Sequence, residues 1–140
     1  MILKSSLQSD YTMTATSWGT PISGLSITIP EDGYYLITGV IDTYIADGSG
    51  GNSALRVKLA INGTRLYASG GSLGLSNVAA NTSSISTIPI LKTEYLRSGD
   101  VITVQAYIGA ADGSTIYASG ANTATYIEAI NLTKLARGGM

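Results

Sequence analysis

Apolar and polar residues alternate with a period of two along most of this chain, and clusters of Gly, Asp and Asn interrupt the pattern at strand-length intervals. In Leu25–Ile29, Leu25, Ile27 and Ile29 share one face while Ser26 and Thr28 take the other. Ala54–Gly63 alternates more cleanly. Leu55, Val57, Leu59 and Ile61 point inward, Arg56 and Lys58 point to water, and Asn62-Gly63 makes a hairpin turn. Ser84–Leu96 forms another strand, placed at an edge or a bulge by Pro89, which lacks a backbone donor. Asp100–Gly109 and Thr123–Leu135 complete the strand set, with Ala46–Ser53 and Ser69–Ser83 as long polar loops. No segment has helical periodicity and no β-α-β alternation appears, so the expected fold is all-β, an antiparallel jelly-roll sandwich.

Two strands depart from the one-face-polar rule for a sheet that meets water. In the segment from Tyr34 to Ile45, Tyr35, Ile37, Gly39, Ile41 and Ile45 form one face, and Tyr34, Leu36, Val40 and Tyr44 form a second apolar face, interrupted mainly by Thr38 and Asp42. The last strand repeats this, with Ile127, Ala129 and Leu135 on one side and Tyr126, Ile130 and Leu132 on the other. A second apolar face needs cover, either from a partner or from the chain's own N-terminal segment. The partner reading makes Tyr34, Leu36, Val40, Tyr44, Tyr126, Ile130 and Leu132 candidate interface residues.

Composition points the same way. Of 140 residues only 12% are charged, about half the usual share, while 44% are hydrophobic. A free monomer normally carries more charge, so part of the surface is expected to be buried in an assembly. The net charge of −1 comes from scattered residues with no basic patch, which argues against nucleic-acid binding. No run approaches the ~18 apolar residues of a membrane span. The first residues lack the apolar core of a signal peptide, so a non-secreted protein is expected, and the sequons at Asn62, Asn81 and Asn131 read as accidents.

Chemistry is sparse. With no Cys and no His, disulfides, thiol nucleophiles, the usual zinc sites and the commonest general base are excluded. Glu31 and Asp32 lie together beside a tyrosine-rich strand, the setting of a candidate carboxylate pair. Within Pro30-Glu31-Asp32-Gly33 they read as turn residues, because neighbours on an extended chain diverge whereas a catalytic pair must converge. Asp47, Ser49 and Asn52, or Asp112, offer oxygen atoms to calcium, but the acids are too few and ordinary Asp-Gly turns explain them. Trp18 either caps one end of the sandwich or stacks on a sugar. No cofactor is expected, and no enzyme.

Three motifs occur in order: a turn then Gly-x-Tyr and alternating apolar residues (Asp32–Ile41), Leu-x-x-Gly-Asp before an alternating strand (Leu96–Tyr107), and an apolar strand near the C-terminus (Thr125–Leu135). Over about 18–135 they resemble the C1q/TNF-like jelly roll, although the family's closing Phe-Ser-Gly-Phe is replaced by Tyr126-Ile127-Glu128-Ala129. With no cysteines, and with no stalk expected ahead of the β domain, the sequence is similar to the pared-down form in bacteriophage decoration, head-fibre and fibre-tip proteins. The resemblance implies a homotrimer whose Gly-x-Tyr strand and last strand face the three-fold axis. It also implies a location on the virion after assembly in the host cytoplasm, with the major capsid or other virion proteins as partners. Some relatives hold calcium on that axis. The expected role is a non-enzymatic capsid decoration or cement protein, or a head fibre; the alternative is a tail or fibre tip whose loops bind a host glycan or receptor. Residues 1–10 are expected to form an arm that meets the capsid through Ile2, Leu3 and Leu7, ahead of a strand near Tyr11–Thr16. The jelly roll spans residues 11–135, and 136–140 form a mobile tail.

Overall fold

Strand β4, Gly33–Ala46, is the spine of the protein. The computed structural model describes residues 2–13, 18–46, 52–76, 83–110, 115–118 and 125–138. On one edge β4 pairs over its whole length with β8, Ser83–Leu96, from Gly33↔Leu96 to Ala46↔Ser83. Its other edge is shared. Tyr35–Val40 pair with β11, Tyr126–Asn131, while Thr43–Ala46 pair with β10, Thr115–Ala118. Thr125 closes the gap between them: its hydroxyl accepts from Asp42 N at 3.0 Å and its carbonyl accepts from Leu7 N at 3.1 Å. Outside these lie β1, Ile2–Ser6, antiparallel to β11, and β2, Tyr11–Met13, antiparallel to β10.

The second sheet is built on β5, Asn52–Ile61. It pairs with β9, Val101–Ala110, on one side; on the other it pairs with β6, Thr64–Arg65, and β7, Ser72–Ser76. Strand β3, Pro21–Thr28, lies outside β9. The alternation in β5 works as the sequence indicates: Leu55, Val57 and Leu59 are buried and Arg56 is exposed. The β5–β6 turn has positive φ at both central residues, Asn62 (49°) and Gly63 (85°), the geometry that matches strand twist and favours Asn-Gly.

The two sheets meet over one core. Tyr35, Ile37, Ile41, Ile88, Ile90, Ile127 and Ala129 come from the first sheet; Leu25, Ile27, Leu55, Val57, Leu59, Ile102 and Val104 come from the second. In β3 the alternation breaks between Ile22 and Leu25, both buried, because the ladder with β9 shifts register between Pro21 and Ser26. Five residue steps of β3 span two of β9 there, and this irregularity lets both side chains turn inward. Ser5 joins the sheets at this edge, its hydroxyl accepting from Ser26 N at 3.1 Å and donating to Gly24 O at 3.2 Å.

Several sequence expectations need correction. Residues 2–6 are not an arm but an integral strand with five register pairs to β11, and Leu7 is a core residue only 2% exposed. The stretch 69–83 is not all loop, since β7 lies within it, and β10 is a further strand that the alternation does not indicate. The last strand ends at Asn131. A short helix α1, Leu132–Ala136, follows, so Leu132 and Leu135 do not lie on strand faces. Asn131 starts the helix as its N-cap, accepting from Lys134 N at 2.9 Å. Of the expected strand Tyr11–Thr16, residues 14–16 lie outside the described residues, as do Asp47, Ser49, Asp112 and the last two residues of the tail.

Gly39 faces the core opposite β11. A Cβ there would stand 2.6 Å from the Tyr126 carbonyl oxygen and 3.0 Å from Ile127 Cγ2, so Ile127 occupies the room a side chain would need. Gly39→Ala is expected to lower stability by about 1–3 kcal/mol, measured by urea unfolding. A variant as stable as the parent would show that this packing is looser than the geometry states.

Candidate assembly face

The register that buries Tyr35, Ile37 and Ile41 turns Tyr34, Leu36 and Val40 to the opposite side of the first sheet. The ladders place their neighbours. Leu36 lies between Ile130 of β11 and Thr93 of β8, with Ile2 of β1 beyond Ile130. Val40 lies between Tyr126 and Pro89. Tyr34 lies opposite Tyr95, and the two rings meet edge to face with centroids 5.1 Å apart. Leu91 completes the surface opposite Thr38. Ile2 is 58% exposed, Tyr34 56%, Leu91 63% and Tyr95 46%, which is unusual for large apolar side chains gathered on one sheet face.

Of the charges on this face, Lys4 and Glu128 pair, and the Asp42 carboxylate accepts from the Thr87 hydroxyl at 3.3 Å. Lys4 lies 3.6 Å from Glu128 and 4.6 Å from the Tyr126 ring centroid, so its ammonium covers part of that ring.

Helix α1 closes one end of the face. Asn131 Nδ2 donates to the Tyr35 hydroxyl at 3.1 Å, and that hydroxyl donates to the Glu31 carbonyl at 2.9 Å. Thr133 accepts from Tyr34 N at 2.9 Å, and Lys134 pairs with the Glu31 carboxylate at 3.1 Å. Asp32 instead accepts from Ser98 N at 2.8 Å, in the turn between β8 and β9. The adjacent acids therefore serve two separate anchors, and their carboxylates do not converge.

Of the sequence-derived interface set, Tyr34, Leu36, Val40, Tyr126 and Ile130 lie together on this face. Leu132 stands at the start of α1, half-buried. Tyr44 pairs with Ile85 and Tyr117 in the ladder, and its side chain is outside the described part of the structure. The supposed arm residues separate: Ile2 joins the face, Leu3 packs partly against the core and Leu7 enters it. Pro89, Leu91 and Tyr95 were missed, although their odd-numbered spacing along β8 carried the signal.

No protein-family model matches the sequence, and no curated protein matches it. Among solved structures, the Eiger TNF from S. frugiperda superposes with a TM-score of 0.55 at 10% identity, covering 94% of this chain and 92% of that one. The fold is a TNF-like jelly roll. At that identity the likeness speaks for the fold alone, and it agrees with the resemblance seen in the three sequence motifs. In jelly-roll terms the apolar surface is the outer side of the sheet that holds the first and last strands of the chain.

Burial pushes the Tyr35 phenol above its ordinary value of 10.0; the Asn131 hydrogen bond opposes the shift, Glu31 adds to it and Lys134 opposes it. The folded state therefore keeps this proton after the unfolded chain has released it. The associated stability is complete below pH 10 and is lost as the pH rises through the raised value. Unfolding measurements across this alkaline range should show a steeper loss for the parent than for Tyr35→Phe. Parallel curves would mean that Tyr35 does not couple to folding.

Proposed function

We propose that this chain is a non-enzymatic virion structural protein of a bacteriophage, a homotrimer that decorates or cements the capsid or forms a head fibre. The observation that carries the reading is the uncovered apolar face on the first sheet. Leu36, Val40, Tyr126 and Ile130 form its centre, and Tyr34, Tyr95, Leu91 and Ile2 surround them. A surface of this kind is costly in water and suits burial against copies of itself, with tyrosine hydroxyls at a wet rim. Three copies around an axis would cover it three times over, which also accounts for a chain with only 12% charged residues. The virion assignment rests on the motif resemblance alone. The action is mechanical: a rigid trimer bridges neighbouring capsid subunits through many modest contacts, and avidity supplies the strength.

Glu31 and Asp32 are engaged in separate anchors, which fits a chain without catalysis. Native mass spectrometry at low micromolar concentration is expected to give a trimer. Leu36→Glu places a charge at the centre of the face without touching the core. It should shift the protein to monomer while leaving its circular dichroism unchanged. A parent that stays monomeric overturns the trimer, and a trimer indifferent to this change would use another surface. Cross-linking on purified particles then tests the virion role, with contacts to the capsid protein expected.

A further inference from the structure

The outer side of the second sheet has a different character. A concavity of about 670 Å³ opens there, lined by Trp18, Arg56, Lys58, Arg65 and Tyr67 among others. Three of the chain's eight Lys and Arg residues meet in this one place. Among the described residues none of the three has a carboxylate partner; the ion pairs are Lys4–Glu128 and Lys134–Glu31. Lys58 donates to the Gly70 carbonyl at 3.1 Å, which positions the ammonium without neutralising it.

The aromatic groups are arranged around these cations. Arg65 lies with its guanidinium carbon 4.9 Å from the Trp18 ring centroid, and the Trp18 ring meets that of Tyr107 at 5.8 Å with a 31° tilt. Stacking on an indole holds a guanidinium by its flat side and leaves its N–H edge free for a planar anion. Gln105, buried beneath, fixes the frame: its Oε1 accepts from Gly19 N at 3.1 Å and its Nε2 donates to Gly63 O at 3.0 Å. The turn carrying Trp18 and the hairpin carrying Arg65 are thus tied to one side chain. Tyr67 is 94% exposed, and the next residue, Ala68, has a φ of 54°, a left-handed conformation unfavourable for a residue with a Cβ. Neither feature contributes to the core.

We propose that this concavity binds an acidic oligosaccharide, with sugar carboxylates on Arg65 and Arg56 and a sugar ring against the exposed plate of Tyr67. Arg65 and Arg56 supply planar forks that match carboxylates, and Lys58 supplies a point charge between them along β5. A neutral sugar would leave three neighbouring cations uncompensated. A nucleic acid strand needs a basic track following its backbone, and the chain's net charge of −1 with this one local cluster provides none. All the groups come from one copy of the chain on the sheet opposite the assembly face. The site therefore does not rest on the trimer, and its failure would leave that reading intact.

Trp18 is the only tryptophan, so its fluorescence reports directly on the site. Titration of the full chain with tetragalacturonate should give a saturable change that weakens with added salt, while maltotetraose at the same concentration gives none. Arg65→Gln and Arg56→Gln should each weaken binding by roughly tenfold or more, with thermal melting unchanged. Arg56 is exposed on its strand, so Arg56→Gln remains informative if Arg65→Gln perturbs the fold. The proposal is overturned if tetragalacturonate gives no saturable change, or if both variants bind it as the parent does. Equal or tighter binding of octathymidylate or hexaglutamate would overturn it too, assigning the cations to a nucleic acid or an acidic peptide.

Discussion

Everything in this molecule depends on one strand having a single permitted register. β4 is bonded on both edges over nearly its whole length, to β8 on one side and to β11 and β10 on the other. A slip by one residue would exchange its two faces, and only one choice sends Tyr35, Ile37 and Ile41 into the core with Gly39 where Ile127 needs room. That choice leaves no freedom for Tyr34, Leu36 and Val40. They stand outward because their neighbours stand inward, and the antiparallel ladders carry the same decision to Tyr126 and Ile130, to Pro89, Leu91 and Tyr95, and to Ile2. The apolar outer face is therefore coupled to the core by backbone geometry, and a sequence can vary one only within the register that serves both.

How far the sequence reveals this differs from strand to strand. β4, β5 and the second half of β3 were legible because period-two alternation is a local property and each has enough residues to display it; the first half of β3 was not, because its alternation breaks where the ladder shifts register. The hairpin at Asn62-Gly63 was legible because its φ values single out those residues. β1 was not. Ile2 and Leu3 are adjacent apolar residues with no visible alternation, and their pairing partners lie at Ile130 and Ala129, at the far end of the chain. β7 reads Ser-Leu-Gly-Leu-Ser beside further glycines, a loop by propensity, and becomes a strand because β5 offers it a free edge. Helix α1 was hidden for another reason: Leu132 and Leu135 extend an apolar run, and only the capping role of Asn131 marks where the strand stops.

The apolar outer face was largely visible in the sequence because it is the second parity of strands already recognised. The concavity on the other sheet was not, because it is assembled from distant parts of the chain. Trp18 arrives from a turn before β3, Arg56 and Lys58 from β5, Arg65 from a two-residue strand, and Tyr67 from the loop beyond. Only the outward direction of Arg56 and Lys58 follows from alternation. That Arg65 should lie on Trp18 depends on Gln105 holding two turns together, a contact between residues 86 positions apart in one case and 42 in the other.

The two outer faces solve opposite problems. On the first sheet Lys4 is paired with Glu128 and, at the helix end, Lys134 with Glu31, while the Asp42 carboxylate accepts from the Thr87 hydroxyl, so among the described residues burying that surface leaves a single carboxylate without a cation. On the second sheet the cations lack carboxylate partners among the described residues, so burying that surface against another copy would bring like charges together without solvent to screen them. Electrostatics alone thus sorts the faces: the first can be covered by apolar contact, and the second is better left to water or to an anion. A jelly roll needs no such asymmetry for its own stability, since both sheets already bury their inner sides in one core. The asymmetry supports the proposed reading, in which one side is held by copies of the chain and the other stays open to an anion.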